Sequence, residues 1–412
     1  MFDRRVNKTI VSSFKLTMVG AAVLLSTSAS AVDWGGYFRS GPGGSSKDVS
    51  RACYGLSGPG LKYRLGNECD FYGEFALSQG AKVEGVDYKA TLMTNLYEPA
   101  TDGNTSKLGI NQMYLEGKGY DISPDTNFWI GKRFHGRADV HIVDTFFVNL
   151  SGVGAGADIK LGAGTLGVSY FHTDASATAS GNRFNFDFGG IDVNPRGKLR
   201  VLATITQADF TGGKSGTGLT LQHNQDLRRL GGTAQPTQDD LIEGGNVFWL
   251  QYAQGSAGLD GNFGSLTAGS DVKSFRVVES FTWQFAKFGG QAMAMLQKDD
   301  STAGGKVTST SLGGRGSYAF TKNFKLVGEL GLSKKKPDGG ASQSLTKFTL
   351  APTLSTGPGF WNRPELRLYV TSAKWNDAAN AAAGPNGLIG ASAATGNKTS
   401  GTSYGAQVEV WF

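Results

Sequence analysis

The sequence predicts an all-β fold, a transmembrane antiparallel β-barrel, from three observations. Glycine is abundant while charge is sparse, apolar residues recur at every second position, and the N-terminus carries an export-type leader. The 412 residues include 61 glycines and 11 prolines, with 11% aromatic and 18% charged residues. Glycine is about twice its usual ~7% and shows no G-X-Y period, so neither collagen nor a proline-rich disordered chain fits. Hydrophobic residues make up 39%. A helical membrane protein would need several runs of about 20 apolar residues, and the sequence has none. Barrel strands escape that test because each alternates lipid-facing and lumen-facing side chains.

The leader comes first. Arg4, Arg5, Lys8 and Lys15 precede the apolar stretch Leu16 to Leu25, and Ala29-Ser30-Ala31 forms an A-x-A cleavage site. This is the order of a secretory signal, and residues 1–31 are expected to be removed. An apolar run this short does not span a bilayer. Four basic residues and Asp3 leave with it, taking the net charge from +6 to +3. Half the basicity therefore belongs to export, and no nucleic-acid partner is expected. Export also interprets the two cysteines. Cys53 and Cys69 are expected to pair as a disulfide in an oxidising compartment. No cluster of histidine or cysteine accompanies them, so neither a metal nor another cofactor is expected.

Period two then runs from end to end. In the first segment Trp34, Gly36 and Phe38 oppose Tyr37 and Arg39. Leu61, Tyr63 and Leu65 oppose Lys62 and Arg64; Phe71, Gly73, Phe75 and Leu77 oppose Tyr72, Glu74 and Ala76. Leu326, Gly328, Leu330 and Leu332 oppose Lys325, Val327, Glu329 and Gly331, while Leu366, Leu368 and Val370 oppose Glu365, Arg367 and Tyr369. The chain closes on Tyr404, Ala406, Val408, Val410 and Phe412 against Gly405, Gln407, Glu409 and Trp411. Successive strand side chains point to opposite faces, so each segment has one dry and one wet side. In Asn246 to Tyr252 parity does not decide which face is wet. A spanning strand takes roughly 9–11 residues, so the chain from Val32 onward supplies about sixteen to eighteen strands. That is enough to leave an aqueous lumen. Gly162-Ala-Gly-Thr165 reads as a tight turn, Val140 to Ala157 and Asp377 to Gly401 as long loops, and Gly152 to Gly156 as a loop glycine cluster.

Three aromatics, Tyr37, Tyr72 and Trp411, fall on the wet face beside charge. A ring turned toward water gives up burial energy and calls for a use. The apolar C–H face of a pyranose can lie on such a ring while Arg, Asp and Glu take its hydroxyls.

Longer blocks carry a family resemblance. Val32-Asp-Trp-Gly-Gly-Tyr-Phe-Arg-Ser-Gly41 and Tyr63-Arg-Leu-Gly-Asn-Glu-Cys69 resemble the N-terminus of the maltoporins, the sugar-specific porins. The likeness continues through Gly131-Lys-Arg-Phe134, Asp139-Val-His141, Asp144, Asn194-Pro-Arg-Gly197, Trp361-Asn-Arg-Pro364 and the terminal strand. It implies a barrel of about 18 strands in the bacterial outer membrane, with an inward-folded constriction loop. It also implies a homotrimer and facilitated diffusion of maltose-type oligosaccharides. An aromatic track would map onto Tyr37, Tyr72, Phe248 and Trp411. A polar track would map onto Arg39, Arg64, Glu74, Arg137, Asp139 and Asp144, with Phe146 replacing a constriction tyrosine. The resemblance departs at Ser309, where a track tryptophan is missing, at Asn111, which replaces an arginine, and at Tyr97, which stands for a tryptophan on a loop offered to a neighbouring subunit. These departures keep two alternatives open: a general or anion-preferring porin using Lys62, Arg64 and Arg367, or a channel for another disaccharide such as sucrose.

Chemistry of other kinds is missing from the sequence. Gly152-Val-Gly-Ala-Gly156 lacks the strand-then-helix setting of a phosphate cradle. His141, Asp144 and Ser151 lie close together without a G-x-S-x-G elbow, so no enzyme is expected.

Overall fold

The computed structural model describes residues 32–46, 52–99, 106–174, 179–227, 242–383 and 399–412. The leader, residues 1–31, lies outside them. Eighteen antiparallel strands close into a barrel. Closure is made by the first strand, Asp33–Ser40, which pairs with Phe71–Val83 on one side and with the last strand, Ser400–Trp411, on the other. A short piece, Gly43–Ser45, continues the first strand along Ser400–Trp411.

Parity predicted from sequence sets the wall. In Phe324–Pro337 the buried residues Lys325, Val327, Glu329 and Ser333 face in, and Leu330 and Leu332 stand exposed on the outer face. The same alternation holds in Gln343–Ser355 and Glu365–Trp375. Trp34 stacks on Phe75 and lies 5.7 Å from Phe412 on the outer surface, a cluster suited to a membrane interface. One barrel end carries tight turns such as Glu84-Gly85, Gly162-Ala163 and Ala286-Lys287 beside the connections 227–241 and 356–364, and the other carries the longest connections, 46–70, 134–151, 256–272 and 376–399. Barrels of this kind keep short turns on the periplasmic side and long loops outside.

Two long connections do not stay outside. Ala138–Val140 pairs with Thr145–Val148 through a single turn of 3-10 helix, His141–Val143, to make a small hairpin within the barrel. Val140, Ile142, Val143, Phe147, Val148 and Leu150 have no lipid to meet. They bury instead against Trp249, Val278, Met293 and Met295 of the inner wall, each 4% exposed or less. The hairpin backbone is held by the wall as well: Gln251 donates to the Phe147 carbonyl at 2.7 Å, and Arg183 donates to the Leu150 carbonyl at 2.8 Å.

The second inward segment corrects a sequence expectation. Leu61 to Leu65 alternates as a strand would, yet it belongs to no strand of the barrel. Leu61, Tyr63 and Leu65 press on the lumen wall, so the alternation separates wall from pore. The Tyr63 ring covers Gly313 and Gly331, where an added Cβ would come within 2.6 and 2.0 Å of it. Cys53 and Cys69 are joined, tying off this segment.

Two loop boundaries also move. The expected loop Val140 to Ala157 ends at Ser151, and Gly152 to Gly156 lies within the strand Gly152–Leu161. Trp129 and Phe171 lie flat on Gly156 and Gly154, with ring atoms 2.7–2.9 Å from any Cβ placed there. Glycine therefore serves close packing at these positions. Asp377 to Gly401 opens with a one-and-a-half-turn helix, Asp377–Ala382, capped by Asn376, and the last strand begins at Ser400.

Candidate functional site: the lumen constriction

The hairpin and the inward segment narrow the lumen beside the closing strands. In register, Tyr37 pairs with Trp411 and with Glu74, and Arg39 with Tyr72 and Glu409. One side of the lumen thus collects the expected rings and charges in neighbouring positions. The Tyr37 and Tyr72 ring centres are 6.2 Å apart. Tyr97, expected on a loop, instead faces the lumen directly across from Tyr72 on the strand Val86–Glu98. It is 51% exposed.

Trp361 extends the row at the turn end, and the sequence reading missed it as a pore residue. It lies on the turn before Glu365–Trp375, 6.4 Å from Trp411 and 5.3 Å from His141. Its block, Trp361-Asn-Arg-Pro364, carries part of the family resemblance, but period-two parity does not place a turn residue in a lumen. Ser309 sits on the inner wall, 5% exposed, so no ring stands there. Phe248 is a correction. Its strand neighbours Val247, Trp249, Gln251 and Ala253 face in, and the register continues unbroken past it. Phe248 consequently lies on the outer face, and the inward Trp249 is covered by Phe147 at 5.5 Å.

The charges form one network. Glu409 is fully buried and accepts from Arg363 at 3.0 Å and from Arg367, while the Arg64 guanidinium lies 3.1 Å away. The Tyr37 hydroxyl donates to Glu409 at 3.2 Å and accepts from Arg64 at 2.6 Å. Arg39 donates to Asp70 at 2.8 Å and lies 3.0 Å from Glu68 and 3.4 Å from Asp144. Arg64 is only 4% exposed; it holds Glu68 and contacts His141 Nδ1 at 3.2 Å, so it orients the pore-facing groups from behind. Tyr72 donates to Glu74 at 2.5 Å. Asn111, at the bulge opposite Met93 and Thr94, donates to that same carboxylate at 2.7 Å. Arg137 is sandwiched by Phe134 and Phe146 at 4.0 and 3.7 Å, and the Phe146 ring brings no hydroxyl.

Asp144 adopts a left-handed backbone, φ 51°, a conformation that Asp tolerates, and this aims its carboxylate at Arg39 and Arg64. Burial pushes that carboxyl up, but Arg64, Arg39 and Lys62 outweigh it and hold it below its usual value. Asp139 touches lumen water yet is walled in by the barrel, and burial raises its carboxyl despite Arg64 and Arg137. Burial pushes His141 well below its usual value, helped by Arg64. His135, 4.9 Å from Trp129, is pushed down from 6.5 to about 4 by burial and by Arg133. Both histidines are neutral at pH 7.

A pH dependence follows. The unfolded chain takes up these two protons near pH 6.5 and the folded barrel only at lower pH, so stability is complete above 6.5 and is lost as pH falls toward 4. The thermal midpoint in detergent is expected to be flat from pH 8 to 6.5 and to drop by pH 4.5, with His135→Gln removing part of the drop. An unchanged slope in that variant contradicts the assignment.

Ser151 donates to Asn149 at 2.6 Å, while His141 faces Arg64 and Glu409. The residues of an imagined hydrolase are therefore not assembled.

The chain is similar to solved structures of other proteins at low identity. A BenF-like porin from Pseudomonas fluorescens Pf-5 matches at TM-score 0.52 and 10% identity, covering 92% of this chain and 98% of that one. OccAB1 of Acinetobacter baumannii matches at TM-score 0.49 and 10% identity, covering 92% and 96%. At 10% identity the likeness to the BenF-like porin is one of fold. The sequence itself, over residues 32–412, matches the model of the LamB porins. The chain belongs to that family, the maltoporins, and is a porin of the bacterial outer membrane.

Proposed function

We propose that this porin is a sugar-selective channel for maltose or maltodextrin-type oligosaccharides, working by facilitated diffusion. The observation that carries this reading is the lumen-facing ring series Trp361, Trp411, Tyr37, Tyr72 and Tyr97, flanked by Arg39, Glu74, Arg137, Asp139 and Asp144. Sugar rings slide along the aromatic faces while their hydroxyls exchange partners among the charges. Binding of this kind is weak and repeated, as conduction requires. Family membership supports three copies per assembly. The family match begins at Val32, directly after the expected cleavage site, which supports export through residues 1–31.

The anion-preferring alternative draws less support. Arg64 and Arg367 are both held by Glu409, which leaves Lys62 as the basic residue of that set without an ion pair among the described residues. Reversal potentials under a salt gradient, measured with and without sugar, separate the readings. Modest ion preference together with current block by maltose and maltotriose on the order of 10 mM is expected. Strong anion preference with no saccharide effect contradicts the proposal.

A further inference from the structure

We infer that the outer wall carries a binding site for an acylated, phosphate-bearing glycolipid at the loop end of the barrel. Four lysines make it. Gln297 and Ala373 are buried on the inner side, which turns Lys298 and Lys374 outward. Lys335 reaches in to the Ser57 carbonyl, which turns Lys334 and Lys336 outward. Lys298 and Lys336 flank Thr308 in register, two strand spacings or about 10 Å apart. Lys334 is one same-face step from Lys336, about 7 Å. Lys374 lies beside Thr346, which pairs with Leu332.

Among the described residues none of these four ammonium groups has an ion pair or hydrogen bond; at the turn end Lys82 and Lys198 are bound to Asp87 at 3.1 Å and Asp192 at 2.7 Å, and the unpaired Lys160, Lys287 and Lys322 there are spread over separate turns. On the loop-end face itself, Asp300 is taken by Lys306 at 3.8 Å. The four free charges border the apolar band, where Leu312, Leu330, Leu332 and Phe348 are 41–58% exposed. Hydroxyls are interleaved with the lysines: Thr308 lies between Lys298 and Lys336, and Thr310 and Ser344 lie on either side of Lys334.

A soluble anion satisfies the lysines without reaching the apolar band below them; an uncharged lipid does the reverse. A molecule with phosphates at one level, sugar hydroxyls between them and acyl chains below satisfies all three features. Each lysine near an anionic headgroup adds charge-assisted hydrogen bonding and attraction to the membrane surface. The loop end is the outward end of the barrel, so this lipid belongs to the outer leaflet.

Native mass spectrometry of the full protein in detergent tests the site with three probes: a bis-phosphorylated acylated glucosamine disaccharide (lipid A), the same lipid without phosphates, and inorganic phosphate. The phosphorylated lipid is expected to bind, the dephosphorylated lipid to bind far more weakly, and millimolar phosphate not to displace it. Each Lys→Gln change among Lys298, Lys334, Lys336 and Lys374 is expected to weaken binding roughly fivefold. Lys82→Gln with Lys198→Gln serves as the control and leaves binding unchanged. A variant carrying all four changes is expected to lose binding; if it fails to insert, the single variants carry the test. Wild-type affinity in the lysine variants, equal binding of the dephosphorylated lipid, or displacement by phosphate overturns the inference.

Discussion

Replacing Trp411 by alanine is expected to weaken maltotriose block about tenfold, or about 1.4 kcal/mol, while open-channel conductance rises only slightly. Trp411 lies between Trp361 and Tyr37 in the ring series, with Arg363 stacked 4.3 Å from its centre and the His141 ring edge-on at 5.7 Å. Its removal separates Trp361 from Tyr37 and opens a gap that a sliding sugar must cross without an apolar surface. An aromatic contact of this kind is worth about 0.5–1.5 kcal/mol beyond area burial. Ions do not use the ring, so their passage registers only the added width. Measuring block and conductance on the same single channels separates the two effects. A variant that loses conductance and block together shows a collapsed pore, and one that keeps full block removes Trp411 from the track.

Replacing Glu409 by glutamine is expected to damage the barrel rather than the sugar row. The carboxylate is fully buried and shared by Arg64, Arg363 and Arg367, with Tyr37 and His141 beside it. Removing one partner of a buried ionic cluster leaves uncompensated charge, typically at about 3–5 kcal/mol. The closing strand carries Glu409, so the seam of the barrel is where the loss falls. Heat-induced loss of the folded band on gels is expected at lower temperature, and the surviving channels shift toward anions. Adding Arg367→Gln to Glu409→Gln is expected to recover part of the stability, because the second change removes one of the stranded charges. Additive damage from the two changes contradicts the shared-carboxylate account.

The wall was legible in sequence because a strand has only two faces, and lipid on one side makes the dry face apolar. That logic placed Tyr37, Tyr72, Arg39, Glu74 and Trp411 correctly on the lumen side. It ran out where that contrast was lost. Asn246 to Tyr252 packs against the apolar hairpin inside as well as lipid outside, so both faces read dry, and Phe248 was placed inside by resemblance when it faces out. Leu61 to Leu65 alternates for a different reason, with the inner wall on one side and the pore on the other, and so imitates a spanning strand. Trp361 sits on a turn, where parity says nothing about direction. The glycines at 154 and 156 read as a loop because glycine usually marks one; here Trp129 and Phe171 exclude any larger side chain.

Single-channel recordings with a maltodextrin series from one to five glucose units address the central claim, that an aromatic row in the lumen guides sugars. Affinity is expected to climb with chain length until the sugar spans the rings from Tyr97 to Trp361, and then to level off. Sucrose, whose linkage bends the two rings apart, is expected to block more weakly than maltose. No block by any member of the series, with ions passing freely, contradicts the account.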